Sequence, residues 1–222
     1  MTALALHATS TFSVLVALFL VSTILVVSPM PINAGSGVEH AFQAARTGQV
    51  EQVLKAVEVG DIGINYREKG SGQTLLMAAS LAGQAEVVRS LLKQGADWRI
   101  GEKDGYTPMH GAAFQGRDDV AEVLLEAGVP PSGGEPHRDG YHPIFRAVWG
   151  MNKRPGHLRF VQLMIDDGHV DINIKDANGR NLIAHALERQ HYDIAKFLRV
   201  SGIQMTPEQL QRVKGSKFRQ EL

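Results

Sequence analysis

The chain of 222 residues contains no cysteine. That absence excludes a disulfide framework, a thiolate metal site and a cysteine nucleophile. An excess of either charge is missing too, since 23 Lys and Arg balance 23 Asp and Glu. Binding nucleic acid by phosphate neutralisation normally takes a basic surplus, so only a local basic patch stays open for that role. Catalytic signatures are also lacking. There is no Gly-x-Ser-x-Gly nucleophile turn and no His-Glu-x-x-His helix. Gly70-Ser71-Gly72 is followed by no Gly-Lys-Ser/Thr, so it does not read as a phosphate loop. Nothing assembles a nucleophile, a base and an oxyanion site, and the sequence reads as non-catalytic. Charge itself is absent from one region. Residues 1–38 hold no Lys, Arg, Asp or Glu, and the other 184 residues hold all 46. The apolar share of 44% is enough for a substantial core.

The uncharged region contains Phe12 to Val27, 16 residues broken only by Ser13, Ser22 and Thr23. Pro29 and Pro31 then prevent a helix from continuing. A membrane-spanning helix needs about 20 apolar residues, and this run is shorter. A secretory signal needs an apolar stretch of about 7–15 residues followed by small residues at a cleavage site. Pro31-Ile32-Asn33-Ala34 before Gly35 supplies one, although no Lys or Arg precedes the run. The expectation is a signal peptide over residues 1–34. An uncleaved membrane anchor is the alternative, and a buried structural helix fits least because no polar face patterns the segment. Arg219-Gln220-Glu221-Leu222 resembles a Lys-Asp-Glu-Leu retention tail, with Arg for Lys and Gln for Asp. A frayed helix end that finishes in Glu-Leu is the plainer reading. With a signal peptide the tail points to the endoplasmic reticulum lumen, and in a bacterium the destination is the periplasm.

The remaining sequence repeats. Gly72-Gln73-Thr74-Leu75-Leu76-Met77-Ala78-Ala79 aligns with Gly105-Tyr106-Thr107-Pro108-Met109-His110-Gly111-Ala112-Ala113. Gly140-Tyr141-His142-Pro143-Ile144-Phe145-Arg146-Ala147 and Gly179-Arg180-Asn181-Leu182-Ile183-Ala184-His185-Ala186 follow, and the leading glycines are 33, 35 and 39 residues apart. A degenerate copy, Ala41-Phe42-Gln43-Ala44-Ala45, precedes them. After each copy comes a second apolar stretch that closes on Gly60, Gly95, Gly128, Gly168 or Gly202. Glycine past a helix end adopts the left-handed conformation without steric cost. Pro108 and Pro143 stand where a first helical turn tolerates a missing N–H. The unit is turn, short helix, short helix, turn.

Thr107-Pro108-Met109-His110 with Ala112-Ala113, Gly116, Val120, Leu124-Leu125 and Gly128 resembles the ankyrin repeat. The resemblance covers five copies over residues 38–203, divided at about 38–68, 69–101, 102–136, 137–175 and 176–203. It implies an all-α solenoid in which each repeat buries its apolar face on its neighbours. Thr206-Pro207-Glu208-Gln209 then reads as a capping box, and a short helix over Pro207–Val213 within residues 204–222 is expected to close the stack.

Nine histidines invite a metal or acid-base reading. Family resemblance instead makes His110 structural, its ring bonded to neighbouring turns. His185 falls on a first helix, packed or solvated. His137 and His142 bracket a turn and lack the spacing of paired ligands on a helix. Asp166-Asp167-Gly168-His169-Val170-Asp171 lacks the alternating oxygens of a calcium loop and reads as a solvated inter-repeat turn. No cofactor and no metal is expected.

The resemblance also implies that a partner protein is gripped by the turn tips and the outer face of the first helices. The matching positions here are Lys103, Asp104, Tyr106, Phe114 and Gln115, then Arg138, Asp139, Tyr141 and Trp149, then Arg180 and Arg189. Lys153 and Arg154 lie in an insertion, Met151–Pro155, beside Trp149. Aromatic and Arg side chains are enriched at interface hot spots, although Phe114 and Trp149 can equally pack between repeats. The reading is a non-catalytic, monomeric protein-binding module, a scaffold or adaptor on the secretory route, with no nucleic acid. An inhibitor or immunity-type protein that blocks one enzyme or toxin is the alternative. A metal-dependent enzyme built on Asp166–Asp171 is a remote third.

Overall fold

The structure, a computed structural model, describes residues 34–134, 141–150 and 155–214. The apolar run at Phe12–Val27, the tail at Arg219–Leu222, and His137, Arg138, Asp139, Lys153 and Arg154 lie outside the described residues. The chain divides into two units, Met1–Ala34 and Gly35–Leu222, and the helices below build the second.

They come in five pairs. These are α1 (Ala34–Thr47) and α2 (Val50–Glu58), α3 (Leu75–Ala82) and α4 (Ala85–Lys93), and α5 (Pro108–Gln115) and α6 (Asp118–Glu126). Then come α7 (Pro143–Trp149) and α8 (Pro155–Asp166), α9 (Leu182–Glu188) and α10 (Tyr192–Val200), and a last helix α11 (Pro207–Lys214). No strand occurs among the described residues, only an isolated bridge between Lys175 and Asn181. The fold is an all-α helix-pair array.

Local chemistry starts and stops each helix. Thr74 accepts the Met77 N–H at 3.2 Å and Asn181 accepts that of Ala184 at 3.1 Å, each filling an orphan donor of a first turn. Pro108 and Pro143 occupy the first helical positions of α5 and α7. Gly83 and Gly116 end α3 and α5 with φ of 81° and 64°. In the fifth pair Gln190 holds the corresponding left-handed position, φ 60°, where a side chain is strained. Before α11, the Gln209 N–H donates to Thr206 Oγ1 at 3.3 Å while the Thr206 N–H donates to Gln209 Oε1 at 2.9 Å.

The two helices of a pair bury differently. Leu75–Ser80 of α3 and Pro108–Ala113 of α5 are buried without a break. Second helices bury one stripe: Val87, Val88 and Leu91 in α4, Ile194, Ala195 and Leu198 in α10. First helices pack on first helices, α3 on α5, α5 on α7 and α7 on α9. Second helices do the same from α2 to α10. The result is one apolar cluster from Ala41 to Ile203, shared between neighbours.

A polar ladder runs alongside it. Gln84 Nε2–H donates to the Arg46 carbonyl at 3.0 Å, and Arg117 Nε–H to that of Leu81 at 3.4 Å. His157 Nε2–H donates to the Phe114 carbonyl at 3.1 Å and His191 Nδ1–H to that of Val148 at 2.6 Å. Each acceptor is at the end of a first helix, where carbonyls lose their helical partners. Every rung therefore satisfies one repeat with a side chain from the next. His110 ties repeats in another way. Its Nε2 lies 3.3 Å from the Tyr141 carbonyl, which can only accept, so the proton is on Nε2 and Nδ1 accepts from Thr107 Oγ1 at 2.9 Å. That is the structural role the sequence assigns to it.

Candidate partner-binding face

The residue after the fourth motif position occupies one register along the first helices, as Ala78, Gly111, Arg146 and His185 in turn. Arg146 is the half-buried hub of the fourth repeat. Its guanidinium carbon lies 4.6 Å from the Tyr106 ring centroid, 5.2 Å from that of Tyr141 and 5.0 Å from that of Trp149. Its Nη2 also donates to the Tyr106 hydroxyl. Cation–π contacts of this kind favour a guanidinium held on ring faces. Arg189, exposed, lies 5.3 Å from the Trp149 ring.

Beneath this surface lies a closed polar circuit. The Trp149 indole N–H donates to His185 Nδ1 at 2.7 Å, and His185 Nε2–H donates to Asp176 Oδ2 at 3.0 Å. Arg180 Nε–H donates to the same carboxylate oxygen at 2.9 Å, and its Nη2 donates to the Tyr141 hydroxyl at 3.0 Å. The rings of Tyr141 and Trp149, 4.5 Å apart between centroids, complete the loop. His185 and Asp176 side chains are fully buried. Burial pushes the His185 imidazole below its ordinary pKa, and the Arg180 charge adds to this, against the opposing pull of Asp176. Burial pushes the Asp176 carboxyl up, but the Arg180 N–H, the Arg180 guanidinium and the Asn178 N–H outweigh it and hold the group below its ordinary value. His142, half-buried at the N-cap of α7, is also lowered by burial, and its Nδ1 has no hydrogen-bond partner among the described residues.

The candidate residues fall into three groups. Lys103 and Asp104 are exposed at a turn tip, while Phe114 and Gln115 are half-buried at the end of α5. Tyr106, Tyr141, Trp149, Arg180 and Arg189 are brought together by the contacts above. Arg138, Asp139, Lys153 and Arg154 fall outside the described residues. Tyr141 and Trp149 are half-buried, and their polar atoms are bonded to Arg180 and His185. Arg180 is occupied as well, since Glu188 Oε2 accepts from its Nη1 at 3.2 Å. Sequence reasoning missed Arg146, whose signal was a lone charge in the apolar helix Pro143–Trp149. His185, taken as packed or solvated, is packed.

Beside Arg146 a cleft of about 260 Å³ opens between Met77 and Leu81 of α3, Tyr106, and Gly111 and Phe114 of α5. Among the described residues no group of three His, Asp or Glu side chains converges to hold a metal. Asp166, Asp167 and His169 are exposed, and Asp171 Oδ1 accepts the Asn173 N–H at 2.9 Å. Among the described residues no helix is long and apolar enough to cross a membrane.

Five helix pairs sharing one core, with polar and aromatic residues gathered on the first-helix side, define a helical repeat protein. Residues 41–133 match the family model for ankyrin repeats in three copies. Over these residues the chain is an ankyrin-repeat protein. It is 28% identical over 162 residues to human SH3 and multiple ankyrin repeat domains protein 1, covering 72% of this chain and 7% of that protein. It is 34% identical over 102 residues to Caenorhabditis elegans E3 ubiquitin-protein ligase hecd-1, covering 44% of this chain and 4% of that protein. With mouse protein phosphatase 1 regulatory subunit 12A it shares 33% over 75 residues, 34% of this chain and 7% of the relative. The match thus spans less than a tenth of the length of each of these three relatives.

Proposed function

We propose that the chain is a non-catalytic protein-binding module, a scaffold or adaptor that engages its partner through the first-helix face of the third to fifth repeats. The observation that carries this is Arg146 held among Tyr106, Tyr141 and Trp149, with Arg189 exposed on the same indole. Rigid rings and pre-placed guanidiniums contribute interface energy at low ordering cost. Lys103 and Asp104 extend the face at its tip. In the proposed reading Arg138, Asp139, Lys153 and Arg154 add charge near it in sequence, and the module acts as a monomer.

Affinity capture from the native source tests this. Arg189→Glu changes an exposed side chain and leaves the buried circuit intact, so it is a sharper probe than loss of Tyr141 or Trp149. Wild type recovers a stoichiometric partner, and Arg189→Glu loses it while unfolding at the same urea concentration. Equal recovery by both overturns the proposal. The proposed setting on the secretory route rests on Phe12–Val27 and the small residues up to Ala34. An N-terminus at Gly35 on the protein purified from cells supports it, and one at Met1 overturns cleavage.

A further inference from the structure

We infer that the cleft beside Gly111 is a socket for one large apolar side chain of the partner, and that this partner segment carries a carboxylate on the Arg189 side. The inference rests on the binding reading above and names the chemistry it selects. It begins from the register shared by Ala78, Gly111, Arg146 and His185. Where the residue is large, it closes the gap against the preceding repeat. His185 sits 5.9 Å from the Tyr141 ring, 5.1 Å from Phe145 and 5.4 Å from Trp149, all in the fourth repeat. Arg146 reaches back to Tyr106 of the third. At Gly111 there is no side chain to do this. A methyl group there would lie 3.1 Å from Met77 Cε and 3.2 Å from Leu81 Cγ, so those side chains already pack on the Gly111 backbone and a gap is left only beside them. The gap is the cleft of about 260 Å³. An apolar cavity of about 150 Å³ is enough to hold benzene, so this one accommodates a Phe, Leu or Met side chain with room at its mouth.

The rim is unequal in charge. Glu102, in the turn before α5, and Arg146, on α7, both line it. Beyond Arg146, Arg189 shares the Trp149 ring with it. Arg180, next along, is balanced by Asp176 at 2.9 Å and Glu188 at 3.2 Å. A segment whose apolar side chain enters the socket therefore has Glu102 in the lining and Arg146, then Arg189, toward the fifth repeat. Complementarity sets its direction: the carboxylate points to Arg189.

Small probes isolate this chemistry. Titration of purified full-length protein with 4-phenylbutanoate, followed by saturation-transfer NMR, is expected to give a Kd on the order of 1 mM. The 4-phenylbutylammonium ion should bind about tenfold more weakly, and Arg189→Glu should erase that preference. Gly111→Leu crowds Met77 and Leu81 into the socket, and Leu81→Trp fills it from α3. Each should weaken phenylbutanoate about tenfold or more, and two variants on different helices guard against a fold defect in one. Equal binding of anion and cation, unchanged binding in both filled variants, or no binding by wild type overturns the inference. Partner capture separates the two readings. Capture that survives Gly111→Leu but not Arg189→Glu overturns the socket alone, and capture that survives both overturns the face.

Discussion

The indole N–H of Trp149 donates to Nδ1 of His185 at 2.7 Å, which places the imidazole's one proton on Nε2 against Asp176. This tautomer couples a surface aromatic to a buried base. Protonation of His185 would turn its acceptor into a second donor facing the indole N–H.

Acidification therefore weakens the fifth repeat. Burial lowers the folded-state pKa of His185 below the unfolded value of about 6.5, so the unfolded chain binds more protons in that window. Stability is full above about pH 6.5 and falls as the pH drops through that value toward the folded pKa. His142 contributes in the same direction. Urea midpoints at pH 7.5 and 5.5 are expected to differ in wild type, and His185→Gln should reduce the difference. A flat profile in wild type would contradict the buried neutral imidazole.

Asp176 governs the acid limb. Its folded pKa is depressed, so its contribution is present above the ordinary carboxylate value and is lost as the pH falls through the folded one. Asp176→Ala removes the acceptor for His185 Nε2–H, for Arg180 and for the Asn178 and Arg180 backbone N–H groups. Leaving these donors unmatched should cost about 3–5 kcal/mol at pH 7, read from urea unfolding. A loss under about 1 kcal/mol would show that water replaces the carboxylate.

Gln190 is a site for stabilisation. It stands at φ 60°, in the place where Gly83 and Gly116 end α3 and α5. Gln190→Gly relieves the left-handed strain and should add about 1 kcal/mol, or roughly 2–4 °C in Tm. Gln190→Ala keeps the Cβ and should leave Tm near its starting value. Calorimetry of the two variants decides it.

His191 tests the ladder. His191→Ala leaves the Val148 carbonyl without the donor now 2.6 Å away, at an expected cost of about 1–3 kcal/mol in urea. The fourth-to-fifth repeat interface should open before the rest. Faster amide exchange confined to α9 and α10 would report it.

What the sequence made legible was periodic and local. Pro108, Pro143 and the glycines between and after the helices mark ends that depend on neighbours a few residues away, and the pairs formed at those places. Contacts between repeats obey no such local rule. Trp149 and His185 meet across 36 residues, and nothing next to either in sequence announces the bond. Gly111 was visible as a letter but not as a point of close approach, because its meaning depends on Met77 and Leu81 of the repeat before it. Arg146 is the exception that could have been found, since a charge inside an otherwise apolar first helix requires a reason. Tyr141 and Trp149 were expected on one face and their rings do meet, but their inward hydrogen bonds follow from the position of the fifth repeat.

The ladder gives the array a chemical polarity. Every donor comes from the later repeat and every acceptor from the earlier one. Cutting off the first repeat releases the Gln84 amide, which can turn to water. Cutting off the fifth leaves the carbonyl of Val148 without its donor, and a backbone carbonyl held in α7 cannot turn as a side chain can. The two ends are therefore not interchangeable as places to shorten or splice the protein. Deletions that enter from the fifth repeat will destabilise what they leave behind more than deletions of equal length that enter from the first.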